Sequence, residues 1–293
     1  MISVVICSVK KVLAQQVKAN IDKTIGVPWE AIIIDNTNPS RAIAEVYNEG
    51  AGMAQFPIVC FAHEDITFET TGWGEKLLNH FDTDPGLGMI GVAGSNYKSK
   101  TLSGWMTFIQ SCDRCNILHL DAAGKITKLY FDQPPAKSLK YVVTLDGVFL
   151  STRREILANI HFDEKMLKGF HVYDLDISYR ISRQYRVAVC FDIEIIHYTE
   201  GGDFGNSWVD YTLEWHKKYS GQLPVAIDPG IKKEYEYRVK HFWLNRLRSE
   251  RISFRRRLRW IRHSKVIVHV SLWPHLLLFL LFKPFGELRN KSQ

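Results

Sequence analysis

Pro57-Ile58-Val59-Cys60-Phe61-Ala62-His63-Glu64-Asp65 is the stretch on which the fold turns. Residues 57–61 form a short apolar run, the mark of a strand buried on both faces. His63, Glu64 and Asp65 follow at once, so three potential metal or proton ligands stand at a strand's C-terminal end. Upstream the same grammar repeats. Residues 2–7 are a β-branched apolar run, and residues 12–24 have helical spacing through Val12, Leu13, Val17 and Ile21. Residues 30–34 form a second strand that ends at Asp35-Asn36. Ser40 is expected to cap a helix running through Ala51. Downstream, residues 74–81 read as a helix and 88–93 as a fourth strand. This alternation argues a mainly parallel α/β sheet flanked by helices. In open sheets of this kind, ligands bind outside the carboxyl ends of the strands.

Beyond Ser95 the pattern loosens up to Pro135, with a hairpin expected around 121–125. Residues 141–151 read as one strand with Asp146-Gly147 inside it. Residues 153–158 read as a short helix, 170–183 as a helix carrying Asp174 and Asp176, and 187–191 and 194–197 as short strands. Residues 208–219 read as a helix.

Several classes of chemistry are disfavoured. The loop after the first strand, Cys7-Ser8-Val9, has no glycines, whereas a dinucleotide-binding turn needs them to bring backbone up to a pyrophosphate. A Walker A loop is missing as well. The N-terminus lacks the basic region and cleavage site of a signal peptide. The five cysteines are an odd number, and Cys112-x-x-Cys115 has no second pair to complete a zinc site, so free thiols are expected.

Single motifs leave alternatives open. Asp35 suits a hydrogen bond to a ribose hydroxyl or a base, and equally an ordinary strand-end turn. His63-Glu64-Asp65 suits Mn²⁺ or Mg²⁺ bridging a diphosphate, or a solvated loop. Asp174 and Asp176 are two apart and do not share a helix face, so they have different jobs; both also suit a helix N-terminus. His197 ends a strand before Gly201-Gly202, which reads as a mobile loop; it is a ligand or a structural histidine.

The order of these signals is more telling than any one of them. From Ile2 to about Tyr219 the chain resembles the GT-A glycosyltransferases of family 2. It looks like the bacterial branch with an HxD segment (His63-Glu64-Asp65), a DG-F-x-RRE-like segment (Asp146 to Glu155) and a YDxDxSxR segment (Tyr173 to Arg180). The resemblance implies a GT-A, Rossmann-like fold and a nucleotide-sugar donor. It implies donor contacts from Ser8, Asp35, Glu64 and Asp65, a divalent metal (Mn²⁺ or Mg²⁺) on His63, Asp65 and His197, and Asp174 as general base. Asp146 and Asp176 would stand on the acceptor side. A single displacement would invert the anomeric centre. The acceptor implied is a glycan or a lipid-linked hydroxyl in bacterial surface polysaccharide assembly. Two departures stand out: a histidine where the first acid of Asp-x-Asp usually stands, and Tyr173 before the catalytic acid. They keep open a second reading, a catalytically silent nucleotide- or glycan-binding module at a membrane.

The C-terminal part differs in kind. Residues 238–265 carry nine Arg, two Lys and one Glu, and 283–293 add +2, which leaves −5 of the overall +7 to residues 1–237. The chain therefore divides into a mildly acidic domain, 1–225, and a basic helical tail, 226–293. Phe242, Trp243, Leu244, Leu247, Trp260 and Ile261 interleave with the arginines in an amphipathic pattern. Residues 266–282 then run 17 residues without a formal charge, interrupted by Pro274. Crossing a bilayer takes about 20 apolar residues, so an in-plane or re-entrant anchor on anionic headgroups is expected. That places the protein on the cytoplasmic face of a membrane. No nucleic-acid-binding motif accompanies the charge, so no nucleic-acid partner is expected.

Overall fold

The computed structural model describes residues 1–38, 40–120, 124–130, 138–198, 204–228 and 233–281. A seven-stranded sheet runs in the order Leu139–Val142, Arg186–Cys190, Leu87–Gly91, Phe149–Arg153, Ile58–Ala62, Ile2–Ser8, Trp29–Asp35. Ile2–Ser8 pairs in parallel with both Trp29–Asp35 and Ile58–Ala62, while Phe149–Arg153 lies antiparallel to both of its neighbours. A second sheet pairs Asp113–Leu120 with Ala93–Ser95, Ile195–Tyr198 and Ile126–Tyr130, and Ile66–Phe68 adds on to Ile195–Tyr198. The fold is thus mixed α/β, as expected.

The apolar runs behave as their composition demands. Val4, Val5, Ile6, Val59, Cys60 and Phe61 are all fully buried, with helices on both faces of the sheet. One of those helices, Ile43–Met53, packs so closely that a Cβ on Gly50 would lie 2.3 Å from Val5 Cγ1. A larger residue at 50 would push the helix off the sheet.

The structure corrects two local expectations. Ser40 does not cap the second helix, which starts at Ile43 from a cap at Ala42 with no side-chain bond. The strand expected over 141–151 is broken into Leu139–Val142, Thr144–Leu145 and Phe149–Arg153. The break frees Asp146-Gly147 to form a loop, and the glycine is needed there: a Cβ would meet Tyr173 Oη at 2.2 Å. The expected hairpin has its two strands, Asp113–Leu120 and Ile126–Tyr130, but its tip at 121–123 lies outside the described residues. All five cysteines are free.

The basic C-terminal region, up to 281, folds back onto the rest of the chain. Its helices are Lys233–Arg246, Phe254–Ser264 and Trp273–Leu281. Trp243, Leu244, Leu247, Trp260 and Ile261 share a core with Tyr97, Leu102, Trp208 and Leu213. The indole N–H of Trp260 donates to Leu102 O at 2.9 Å, and that of Trp243 to Met106 O at 3.0 Å. Arg256 and Arg259 pair with Asp210. Arg257 is 2% exposed and donates to the carbonyls of Ile252, Glu250, Arg248 and Phe279. Much of the aromatic stripe that the sequence assigns to a lipid surface is therefore spent on internal packing. No helix among the described residues is long and apolar enough to cross a membrane.

Candidate active site

The ends of Ile2–Ser8 and Ile58–Ala62 open onto two chambers that meet at His63 and Phe170. The first, about 370 Å³, is lined by Cys7, Val9, Lys10, Asn36, Arg41, Glu64, Asp65 and Lys168, among others. The second, about 390 Å³, is apolar and aromatic: Trp105, Phe108, Trp208, Phe242 and Trp243 line it, together with Asp146, Asp174, His197 and Arg246.

His63, Asp65 and His197 come together where the chambers join. Their ligand atoms all lie within 4.8 Å of one another. His63 Nδ1 is 3.8 Å from Asp65 Oδ1, and His197 Nε2 is 3.4 Å from Asp65 Oδ2. The hydrogen bonds fix the His63 tautomer. Tyr173 Oη donates its one proton to Gly147 O at 3.1 Å, so at 2.8 Å from His63 Nε2 it must accept. His63 therefore carries its proton on Nε2 and offers the Nδ1 lone pair toward Asp65. Burial, with the charge of His197, pushes the His63 pKa down and keeps the ring neutral. Burial works to raise the Asp65 pKa, but the hydrogen bond and charge of His197, with His63, outweigh it and hold the carboxyl below its usual range. A neutral imidazole oriented by an outer partner beside an ionised carboxylate is a donor set that fits a divalent cation.

Helix Tyr173–Ser182 brings in the next acid. It starts from Val172 at φ 74°, a left-handed conformation that is costly for a β-branched residue. Strain of this kind collects where a backbone is held for function. The turn presents Asp174 in the second chamber. Burial, and then the nearby charge of Asp146, push the Asp174 pKa up to about 7. Asp146 itself accepts from Trp105 Nε1 at 2.6 Å and from the Val148 amide at 2.9 Å. Two carboxylates thus differ by environment: one fixed by donors, the other poised to gain or lose a proton near neutrality.

Other expected site residues stand elsewhere. Asp176 is 0% exposed and takes bonds from Arg180 Nε, Trp215 Nε1 and Tyr219 Oη. It knits helix Tyr173–Ser182 to helix Asn206–Lys218 and does not face an acceptor; two residues along a helix turn it away from Asp174. Ser8 is buried and does not line the first chamber, because strand alternation turns Cys7 and Val9 to that side. Its Oγ has no partner among the described residues. Asp35 is exposed beyond the rim and bonded to Thr37 and Lys11. Glu64 lines the first chamber, but its carboxylate accepts the Val9 and Lys10 amides and so shapes the first loop, outside the histidine cluster. The glycine loop after His197 falls outside the described residues, which end at 198 and resume at 204.

Sequence reasoning missed most of the second chamber's wall. Trp105, Trp208, Phe242, Trp243 and Arg246 are spread over 141 positions of the chain, with no spacing that joins them. His119 was missed too: its ring centroid is 5.6 Å from that of His197, across adjacent parallel strands.

A crystal structure of GalNAc-T7 with UDP, GalNAc and Mn²⁺ superposes with a TM-score of 0.53 at 9% identity, over 92% of this chain and 56% of that one. The chain thus spans little more than half of that structure, and the likeness speaks for the fold. A crystal structure of A197 from STIV matches at 12% identity and a TM-score of 0.37, over 68% of this chain and 85% of that one. No curated protein matches. The model of the glycosyltransferase-like family matches residues 3–219, and the chain belongs to that family.

Proposed function

We propose that the protein is a glycosyltransferase that moves a sugar from a nucleotide-sugar donor to a hydroxyl of a glycan or lipid-linked acceptor, with inversion at the anomeric carbon. The observation that carries this reading is the meeting of two unlike chambers at His63, with a ligand cluster at the junction and Asp174 just beyond it. The first chamber, with Lys10, Arg41 and Lys168 on its wall, suits a nucleoside diphosphate. The second, walled by indoles, suits the sugar and acceptor faces.

His63, Asp65 and His197 would hold the metal, which when bound neutralises charge on the departing diphosphate. Two imidazoles in the donor set favour Mn²⁺ over Mg²⁺, which prefers oxygen. Asp174 takes the proton from the acceptor hydroxyl as it attacks. Asp146, held by Trp105 and the Val148 amide, keeps Asp174 basic enough to do so. The indoles exclude water from the path of transfer.

We place the protein at the cytoplasmic face of a membrane, in bacterial surface polysaccharide assembly; what favours a membrane surface is the C-terminal helices. Trp273, Leu277, Leu278 and Leu281 remain exposed on the last helix, and Ile267, Val268 and Val270 on the turns before it, next to an arginine-rich helix. Such a surface suits anionic lipid.

The test is a panel of nucleotide sugars offered to the full chain with Mn²⁺ or with chelator. One donor should be consumed only with metal and give product of inverted configuration. Retained configuration would overturn the single displacement; donor turnover unaffected by Asp174→Asn would remove the base.

A further inference from the structure

A third cavity, of about 330 Å³, lies between the globule and the C-terminal helices and shares no residue with the two chambers. Its charged wall is Lys100, Lys217, Lys240, His263 and Lys265, with no carboxylate among the lining residues. Two acids stand close by. Glu214 pairs with Lys217 at 2.9 Å, and Glu236 is taken up by Tyr97 Oη, the Lys100 amide and Thr101 Oγ1. His216, also on the wall, adds no charge. Its Nδ1–H donates to Thr212 O at 2.7 Å, and its Nε2 accepts from the fully buried Lys98 at 3.1 Å.

Helix dipoles account for only part of this cluster. Lys217 and His263 sit in the last turns of their helices, and Lys265 caps the second, where cations offset the dipole. Lys240 lies in the middle of Lys233–Arg246 and Lys100 in a loop, where no helix end calls for a cation. Lys240 is 6% exposed, and burial together with Lys100 and Lys265 lowers its pKa, so these ammonium groups repel one another. An independent sign of a missing partner is Ser264: it lines the cavity, is 2% exposed, and its Oγ bonds to nothing among the described residues.

We propose that this cavity is a binding site for a phosphate group, with Lys100, Lys240 and Lys265 as its cations and Ser264 Oγ as a neutral partner. Lysine ammoniums and a hydroxyl are a usual set for phosphate oxygens. Within five residues of Lys265 the chain exposes Ile267, Val268 and Val270 at 59%, 65% and 67%. A phosphate site beside an apolar ridge fits the headgroup of a phosphorylated lipid, while the same cations would also take a free phosphate or diphosphate. The proposal stands apart from the transfer reaction, since it uses no residue of the two chambers.

The test uses the full chain, with chelator present to keep diphosphate from binding through metal. Inorganic pyrophosphate at saturation should raise the melting midpoint by about 5 °C. The double variant Lys100→Ala, Lys265→Gly should lose that shift. Lys265 occupies a left-handed position at φ 50°, where glycine is preferred, so its own midpoint should not fall for that reason. Flotation with phosphatidylcholine vesicles, with and without phosphatidic acid, separates the sources. Retention that needs phosphatidic acid, drops about tenfold in the variant and is competed by pyrophosphate identifies a lipid headgroup. A pyrophosphate shift lost in the variant, with vesicle retention unchanged, identifies a soluble phosphate ligand. No shift, or the same shift in the variant, overturns the site.

Discussion

The two chambers on either side of His63 are built by different means. The first takes its walls from loops at the ends of the sheet's first strands and from the start of helix Ile43–Met53, and two of its cations, Lys10 and Lys168, are exposed. The second takes its walls from aromatic residues of distant segments, held by indole hydrogen bonds and stacked rings such as Trp208 on Trp243 at 5.0 Å. The first can adapt to a charged ligand; the second is a fixed apolar slot that must be matched in shape. On the proposed reading, recognition of the nucleotide would be local to the sheet, whereas selection of the acceptor would depend on the C-terminal helices.

The largest effect should come from Asp174→Asn. Turnover should fall about 10²-fold or more, with nucleotide affinity within a few-fold. The pH dependence carries a double sign. As the proposed base Asp174 would work as a carboxylate, so wild-type kcat should rise with pH and level off above about 7. Its folded pKa lies well above the ordinary carboxyl range, so protonation favours the fold and that stability is lost as pH rises through about 7. The asparagine variant should therefore melt higher than wild type at pH 8, and the gap should close toward pH 4. An activity profile of the same shape in the variant would break the assignment.

Next, Trp243→Ala should empty the wall between the chamber and the C-terminal core. It should cost about 3–5 kcal/mol in stability and lower kcat/KM for acceptor about tenfold or more, while nucleotide binding holds within a few-fold. Equal losses for donor and acceptor would erase the difference between the chambers. A subtler change is Tyr173→Phe, which removes the acceptor that holds His63 in its tautomer. The Mn²⁺ concentration for half-maximal activity should rise about tenfold, with kcat at saturating metal little changed. The smallest effect is expected from Lys168→Ala, an exposed cation of the first chamber: a few-fold rise in donor KM, fading at high salt.

The same contrast marks what could be read from sequence. The strand at 57–61 and the first two helices follow local rules, apolar runs and helical spacing, so the sheet and the strand-end cluster of His63 and Asp65 were legible. Asp174 was placed by a motif. Asp176 was misplaced, because its partners Trp215 and Tyr219 lie about 40 residues on and no pattern announces them. The second chamber was illegible for a related reason. The arginines around Trp243 and Trp260 look like those of a lipid-facing helix, and only tertiary contacts with Met106 and Leu102 show the indoles turned inward.

Metal and nucleotide are proposed to meet at His63, Asp65 and His197, with Asp174 acting beyond them. The most direct measurement is the thermal shift of the full chain with each nucleoside diphosphate, in Mn²⁺ or chelator, for wild type, His197→Ala and Asp174→Asn. One nucleotide should raise the melting midpoint only with metal; His197→Ala should abolish that shift and Asp174→Asn should keep it. A shift that survives chelator and His197→Ala alike, or no shift for any nucleotide, would rule out a metal-dependent nucleotide site there.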